Sequence, residues 1–341
     1  MNRRRTLLHA LGAGALAAPF ASFAQQPPNP AGAPGKIWRA GLLAFSQRPA
    51  LLESHFYGAI LPGLRDLGYI EGKNLVIEWR FADSDFKRLP ALAAELVQWK
   101  PDVLVSIGDQ VSLAMKNATT TIPVVSAGTS DPVSIGLITS LARPGGNITG
   151  LTIIALDLAP KQLELLLAMA SGTGPKVTRV AALLNPTSPP QYVRLRGIEA
   201  AAKTIGINIL PFEAQDPAQI DAAFARMRQQ NAGALIVFLH PFFQERRQQI
   251  ADLAAKYRLP SMTGSNIFPE AGSLMSYGTN LHGHFRRAAY FVDRIFKGAK
   301  PADLPFEQPT RFELVINGRT AKALGLKIPQ GLLISAERVI E

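Results

Sequence analysis

From Trp38 onward the chain alternates short apolar runs, rich in Val, Ile and Leu, with longer stretches whose apolar residues recur at helical spacing. In the first half the short runs are RAGLLAFS, LVIEWRF, DVLVSIG, PVVSAG and ITGLTI; in the second they are RVAALLN, INILPFE, ALIVFLH, LPSMTGS and SLMSYG. Between them, HFYGAILPGLRDLG and LPALAAELVQW carry the helical period, and such segments often close on Gly or Pro. Continuous apolar strands separated by helices predict parallel sheets with helices on both faces. The pattern occurs twice, so the expected architecture is α/β, with two Rossmann-like lobes joined near 150–154. The tail FELVINGRTAKALGLKIPQGLLISAERVIE adds a strand, a helix and a last strand, and KPADLPFEQP before it reads as a further crossing. The first lobe is expected to span 37–152 with about 279–309, and the second 153–278 with about 310–341.

Composition supports two lobes and narrows the rest. The chain has 341 residues, 47% hydrophobic and 18% charged, enough to bury a sizeable core. Its formal net charge of +11 is scattered among acidic residues instead of forming a stripe, which argues against nucleic acid as a partner. With no cysteine, disulfides, thiolate zinc sites and cysteine nucleophiles are excluded. MNRRRTLLHALGAGALAAPFASFAQQ places an arginine cluster before an apolar run and a small-residue exit, the pattern of a secretory signal cleaved near Ala24. Arg4-Arg5-Thr6-Leu7-Leu8 resembles a twin-arginine motif, while a Sec signal fits the same residues. Residues 25–36 read as a linker, and no later run reaches the roughly 18 apolar residues of a membrane-spanning helix. The expected location is the periplasm.

Ligands of open parallel sheets bind outside the carboxyl ends of the strands, so the strand exits locate a site before any motif does. In the first lobe they supply Ser46 and Gln47, then Asp109 and Gln110 after Gly108, then Thr129, Ser130 and Asp131 after Gly128. In the second they supply Asn185 and Thr187, His240 with Phe242 and Phe243, Ser265, and Tyr277. Thr129 and Ser130 are expected to offer hydroxyls beside the N-terminus of a following helix, which would favour a carboxylate. Asp131 before Pro132 also fits a helix N-cap, and Asn185-Pro186 also fits a simple turn. Phe242 and Phe243 read as pocket walls or as core. His282 and His284 lie two apart without an evident carboxylate partner, so no metal and no cofactor is expected.

Enzyme signatures do not emerge: G-x-S-x-G, H-E-x-x-H, the P-loop and a strand-following G-x-G-x-x-G are not found. A secretion signal with two facing lobes favours binding over catalysis.

The runs LRDLGYIEGKNLVIEWR, TIPVVSAGTSDPV, SLARPGGNITGL, AGSLMSYG, RRAAYFVDRIFKGAKPADLPFEQPTRFELVINGRTAKALGL and IPQGLLISAERVIE resemble the ABC transporter substrate-binding proteins of the TrpX-like family. The likeness extends from about Trp38 to Glu341. It implies a type I periplasmic binding protein fold whose hinged lobes close on a small solute, delivered by a monomer to an ABC permease of the inner membrane. A ligand-sensing module for a membrane receptor and a secreted hydrolase are the alternatives. Family members with an assigned ligand are associated with aromatic amino acids. Two positions depart from the family pattern: His240 stands where an acidic residue is expected, and Gly108-Asp109-Gln110 replaces a neutral turn. A mostly neutral histidine cannot balance an ammonium ion. The expected ligand is therefore an amino acid held by Asp109, or a carboxylate-bearing or neutral aromatic compound without an α-ammonium.

Overall fold

The computed structural model describes residues 35–53, 55–153, 158–171 and 177–341. The expected signal sequence, nearly all of the expected linker and residues 154–157 at the expected junction of the lobes lie outside the described residues. Five strands, β1 (Trp38–Ala44), β2 (Leu75–Phe81), β3 (Val103–Ile107), β4 (Val124–Thr129) and β5 (Ile148–Thr152), form one sheet in the order β2-β1-β3-β4-β5, all parallel. The second sheet contains β6 (Arg179–Leu184), β7 (Asn208–Glu213), β8 (Ala234–Val237), β9 (Ser261–Thr263), β10 (Met275–Gly278), β11 (Glu313–Asn317) and β12 (Arg338–Ile340). Its order is β12-β11-β10-β9-β8-β6-β7, and only the β10–β11 pair is antiparallel. The α/β class read from the apolar runs is the observed one.

Local chemistry explains where these elements sit. Every residue of β3, β4 and β8 is buried, as expected of central strands covered on both faces. At the sheet's edge β7 mixes exposed and buried positions and carries Pro211, a residue that a central strand would not accept. Asp216 starts the helix Pro217–Gln229 by accepting from the Gln219 amide at 2.8 Å, with Pro217 at the first helical position.

The chain passes between the sheets at three places: after β5, after β10, and between Glu307 and β11. After β10, the helix Leu281–Phe296 turns its apolar face, including Phe285, Ala288, Ala289 and Val292, onto the first sheet and the helix Ile60–Asp66. A Cβ at Gly63 would meet the Arg286 carbonyl at 2.6 Å, so the close approach of these two helices requires glycine there. The crossings are bonded to one another. Thr279 donates its hydroxyl to the Ile153 carbonyl at 2.8 Å, and Asn280 donates its amide to Glu313 at 3.1 Å.

One expected element is missing from the site region. Asp131-Pro132 opens only a turn over residues 132–136, not a helix, so β4 does not end at a helix N-terminus. Asp131 nevertheless caps that turn, accepting from the Val133 and Ser134 amides at 3.2 and 3.1 Å.

Candidate functional site

The exits of β3 and β4 are locked together before they meet anything else. Gly108, with φ of 101°, turns the chain from β3 into the helix Asp109–Ala118. Beneath it, Ser112 donates to the Gly108 carbonyl at 2.9 Å and shares hydroxyl contacts with Ser106 at 2.8 Å and Ser126 at 2.9 Å. Above this buried serine trio, Asp109 accepts from the Ser130 amide at 2.7 Å and so ties the β4 exit to the β3 exit.

The second sheet brings its own exits opposite. After β8 the chain runs through Leu239 to His240, which caps the short helix Pro241–Glu245 by accepting from the Phe242 amide at 3.2 Å through Nδ1. With Nδ1 as acceptor, the imidazole carries its proton on Nε2. Gln110 donates across the gap to the Thr187 carbonyl at 3.4 Å, and the side chain of Pro241 reaches to within 3.5 Å of where a Cβ on Gly108 would sit.

Between these exits lies a pocket with about 740 Å³ of atom-free space, part of it open to solvent. Five aromatic rings line it: Phe45, Phe56, Tyr57 and Phe86 from the first lobe, with Phe285 from the crossing helix. Phe45 and Phe86 stack with centroids 4.0 Å apart, and Phe86 meets the His240 ring edge-on at 6.2 Å. Such a lining of large apolar groups with a few placed polar ones is typical of small-molecule sites.

Burial dominates the electrostatics. It pushes the Asp109 carboxyl up, against the opposing pull of its hydrogen bonds with Ser130, while the Asp131 charge raises it further. Burial holds His240 down to about 3, so the ring is neutral at physiological pH. The Tyr57 hydroxyl is likewise kept neutral by burial.

Of the residues expected from the strand exits, the structure brings Asp109, Gln110, Ser130, Thr187 and His240 into the pocket wall. The others lie elsewhere for identifiable reasons. Ser46 and Thr129 are buried, the Thr129 hydroxyl without a partner among the described residues, and Gln47 is exposed. Asp131 serves its turn. Asn185 is buried and structural: its Oδ1 accepts from the amide and hydroxyl of Thr187 at 3.0 and 2.6 Å, and its Nδ2 donates to Ala214 at 3.1 Å. Phe242 and Phe243 point into the core, Ser265 is buried, and Tyr277 packs against Phe312. The expected carboxylate site on Thr129 is thus corrected, because its hydroxyl is outside the pocket wall and no helix follows. The aromatic shell was missed because most of it precedes or follows the strand exits. Phe45, the residue before Ser46, was the nearest available signal. His284 is buried and His282 is exposed; among the described residues no group of three or more His, Cys, Asp or Glu is arranged to hold a metal.

Two α/β lobes with mostly parallel sheets, and a pocket where their strand exits meet, define a periplasmic-binding-protein-like class. Residues 40–340 match the family model "ABC transporter substrate binding protein", and the chain belongs to that family. A "Tyrosine-binding protein" of Clostridioides difficile is 23% identical over 271 residues, 78% of this chain and 75% of the relative. Among solved structures, a conserved domain protein from Vibrio cholerae is 25% identical with a TM-score of 0.82, covering 89% of this chain and 100% of that one. An ABC domain in complex with L-Trp from Streptococcus pneumonia has 24% identity and a TM-score of 0.81 over the same shares. Proteins of this family bind solutes and work with ABC permeases. No helix among the described residues is long and apolar enough to cross a membrane.

Proposed function

We propose that this protein is the solute receptor of an ABC importer, exported to the periplasm, where it works as a monomer without catalytic turnover and captures a small aromatic solute between its lobes. The observation that carries this reading is the pocket itself: five aromatic rings and one carboxylate, Asp109, at the meeting point of strand exits from both sheets. The relatives named for tyrosine and solved with L-Trp support an aromatic ligand. Capture proceeds by hinge closure about the three crossings, since bonds such as Thr279 to Ile153 lie between the two sheet cores and not within either. The residues proposed to contact the solute are Asp109, Gln110, Ser130, Thr187 and His240 with the aromatic walls.

The test is a calorimetric and thermal-shift screen of the exported chain against aromatic amino acids, their deaminated and decarboxylated analogues, nucleosides and sugars. Saturating ligand at 100 times its dissociation constant raises stability by roughly 2.7 kcal/mol. Stabilisation by aromatic compounds, with compaction in small-angle scattering, is the expected result. Stabilisation by sugars or nucleosides alone overturns the reading.

A further inference from the structure

Among its described residues, the pocket wall offers a carboxylate no cationic side chain. Among the described residues of its wall there is no Lys or Arg, and the ionisable side chains are Asp109, His240 and Tyr57. His240 is neutral and Tyr57 is held in its hydroxyl form, so Asp109 is the group able to carry charge.

The backbone donors of the second lobe are spent or absent. The helix Pro189–Thr204 opens on Pro189 and Pro190, neither of which has an N–H to offer, and the next amide, Gln191, donates back to Ser188 at 3.0 Å. The Thr187 amide and hydroxyl are both committed to Asn185, and the Ser188 amide donates to the Asn185 carbonyl at 3.2 Å. The neighbouring helix opens on Pro241, and its second amide, Phe242, is taken by His240. On the first lobe the Ser130 amide is taken by Asp109, whose carboxylate also sits in the first turn of the helix Asp109–Ala118 and offsets the positive end of that helix.

The cations closest to this argument face elsewhere. Arg194 is buried, but it donates to Gln162 and lies over the Phe238 ring at 5.1 Å, outside the pocket wall. Arg247 lies near enough to act on the Tyr57 hydroxyl, yet it lines a separate surface pocket with His55, Phe56 and His282 and donates to the Gln244 carbonyl at 2.9 Å. A carboxylate in the aromatic pocket would therefore meet no cation among the described wall residues and would be enclosed with the carboxylate of Asp109, an unfavourable arrangement. An amine or other N–H donor would instead meet Asp109 directly, with the ring of the same molecule among the phenylalanines.

Resting on the receptor reading above, we propose that the ligand is an aromatic compound without a carboxylate, of the arylalkylamine class, whose amine is received by Asp109. Acceptors for further donors on the ligand are the side-chain oxygens of Gln110 and Gln244, while His240 Nε2–H suits a ring hydroxyl or carbonyl.

The experiment compares matched sets by calorimetry at pH 7.5 on protein unfolded and refolded to remove bound solute: tryptamine, tryptophan and indole-3-propionate, and tyramine, tyrosine and 4-hydroxyphenylpropionate. The expected result is that an amine binds at least tenfold more tightly than the matched amino acid and the matched acid. Asp109→Asn is expected to weaken the amine at least tenfold and leave the acid unchanged or tighter. In the wild type, where folding of the variant is not at issue, amine affinity should also fall as pH drops and Asp109 gains its proton. If the amino acid or the acid matches or exceeds the amine, this inference fails while the aromatic receptor reading stands. If no member of either set binds, both fail.

Discussion

Ser84 donates its hydroxyl to the carboxylate of Glu245, joining the loop after β2 to the short helix after β8 and so bonding one lobe to the other. Burial pushes the Glu245 carboxyl up, against the pull of hydrogen bonds with Ser84 and the Gln47 backbone and of the charges on Arg246 and Arg247. This contact, with Gln110 to Thr187, bonds the two lobes across the pocket. Glu245→Ala should leave each lobe intact and shift the population toward open forms. A loss of about tenfold in apparent affinity is expected, since the competent closed fraction sets apparent affinity. Small-angle scattering of the ligand-free variant should show a larger radius than wild type. An unchanged radius and affinity would remove Glu245 from the closure.

Acid should destabilise the protein through its buried histidines. His240 is held down to about 3, and His284 and His55 to about 4, all led by burial. An unfolded chain takes up these protons near pH 6.5, whereas the folded chain refuses them until the lower values are reached. The contribution of each neutral ring is therefore fully present above pH 6.5 and is lost as pH falls below it, on the order of 2 kcal/mol for His240 by pH 5. His240→Gln should flatten the acid limb of a stability-versus-pH curve measured by denaturant titration. A parallel curve for wild type and variant would contradict the assignment.

Asp109 has the opposite sign. Burial pushes its carboxyl up, so the folded chain holds this proton more tightly than the unfolded one. Its stability contribution is present below the ordinary carboxylate range and is lost as pH rises through the raised value. In the absence of ligand, Asp109→Asn should thus raise the melting temperature at pH 8 and leave it nearly unchanged at pH 3. Its amide oxygen still accepts from Ser130. A lower melting temperature at pH 8 would mean that the charged form is stabilised by more than the hydrogen bonds seen here.

Thr129 separates placement from sequence appearance. Its hydroxyl is fully buried and lacks a partner. Thr129→Val removes an unsatisfied polar group at nearly constant shape, which is neutral or stabilising by up to about 1 kcal/mol. Ligand affinity should not change. A tenfold loss would return Thr129 to the binding surface.

Gly150 tests the coupling of the crossings to the first sheet. A Cβ there would sit 2.0 Å from the Ser126 carbonyl oxygen, and the Gly150 carbonyl accepts from the Glu307 amide at 2.9 Å, next to the third crossing. Gly150→Ala should destabilise by more than about 2 kcal/mol in urea unfolding, as backbone clashes in a buried strand do. An effect below 0.5 kcal/mol, the order of a surface substitution, would show that β4 and β5 separate easily.

The apolar runs were enough to place the central strands, because a strand buried on both faces has to be apolar along its whole length. The Pro-rich approach at KPADLPFEQP marked a crossing for a comparable reason, since proline disfavours both helix and central strand. Chemistry and strand exit coincide in the pocket wall at Asp109, Gln110, Ser130, Thr187 and His240. Elsewhere the local pattern was ambiguous. Asn185 and Asp131 have the same side-chain groups whether they bind a ligand or close a turn, and which one occurs depends on whether a backbone amide lies nearer than the cleft.

What the sequence determined by itself was the α/β class, the repetition of that plan in two lobes, and the edge at which a ligand would sit, because periodicity and burial are properties of a segment and its own residues. Tertiary structure alone decided which rings form the wall. Phe242, Phe243, Phe56 and Phe285 are equally apolar and share one buried cluster, yet of these only Phe56 and Phe285 also line the pocket. Phe285 reaches the site only because the helix Leu281–Phe296 crosses back onto the first sheet. The charge state of the site was decided in the same way. Asp109 and His240 have ordinary titrations as isolated side chains, and it is their removal from water, by groups distant in sequence, that moves one up and the other down.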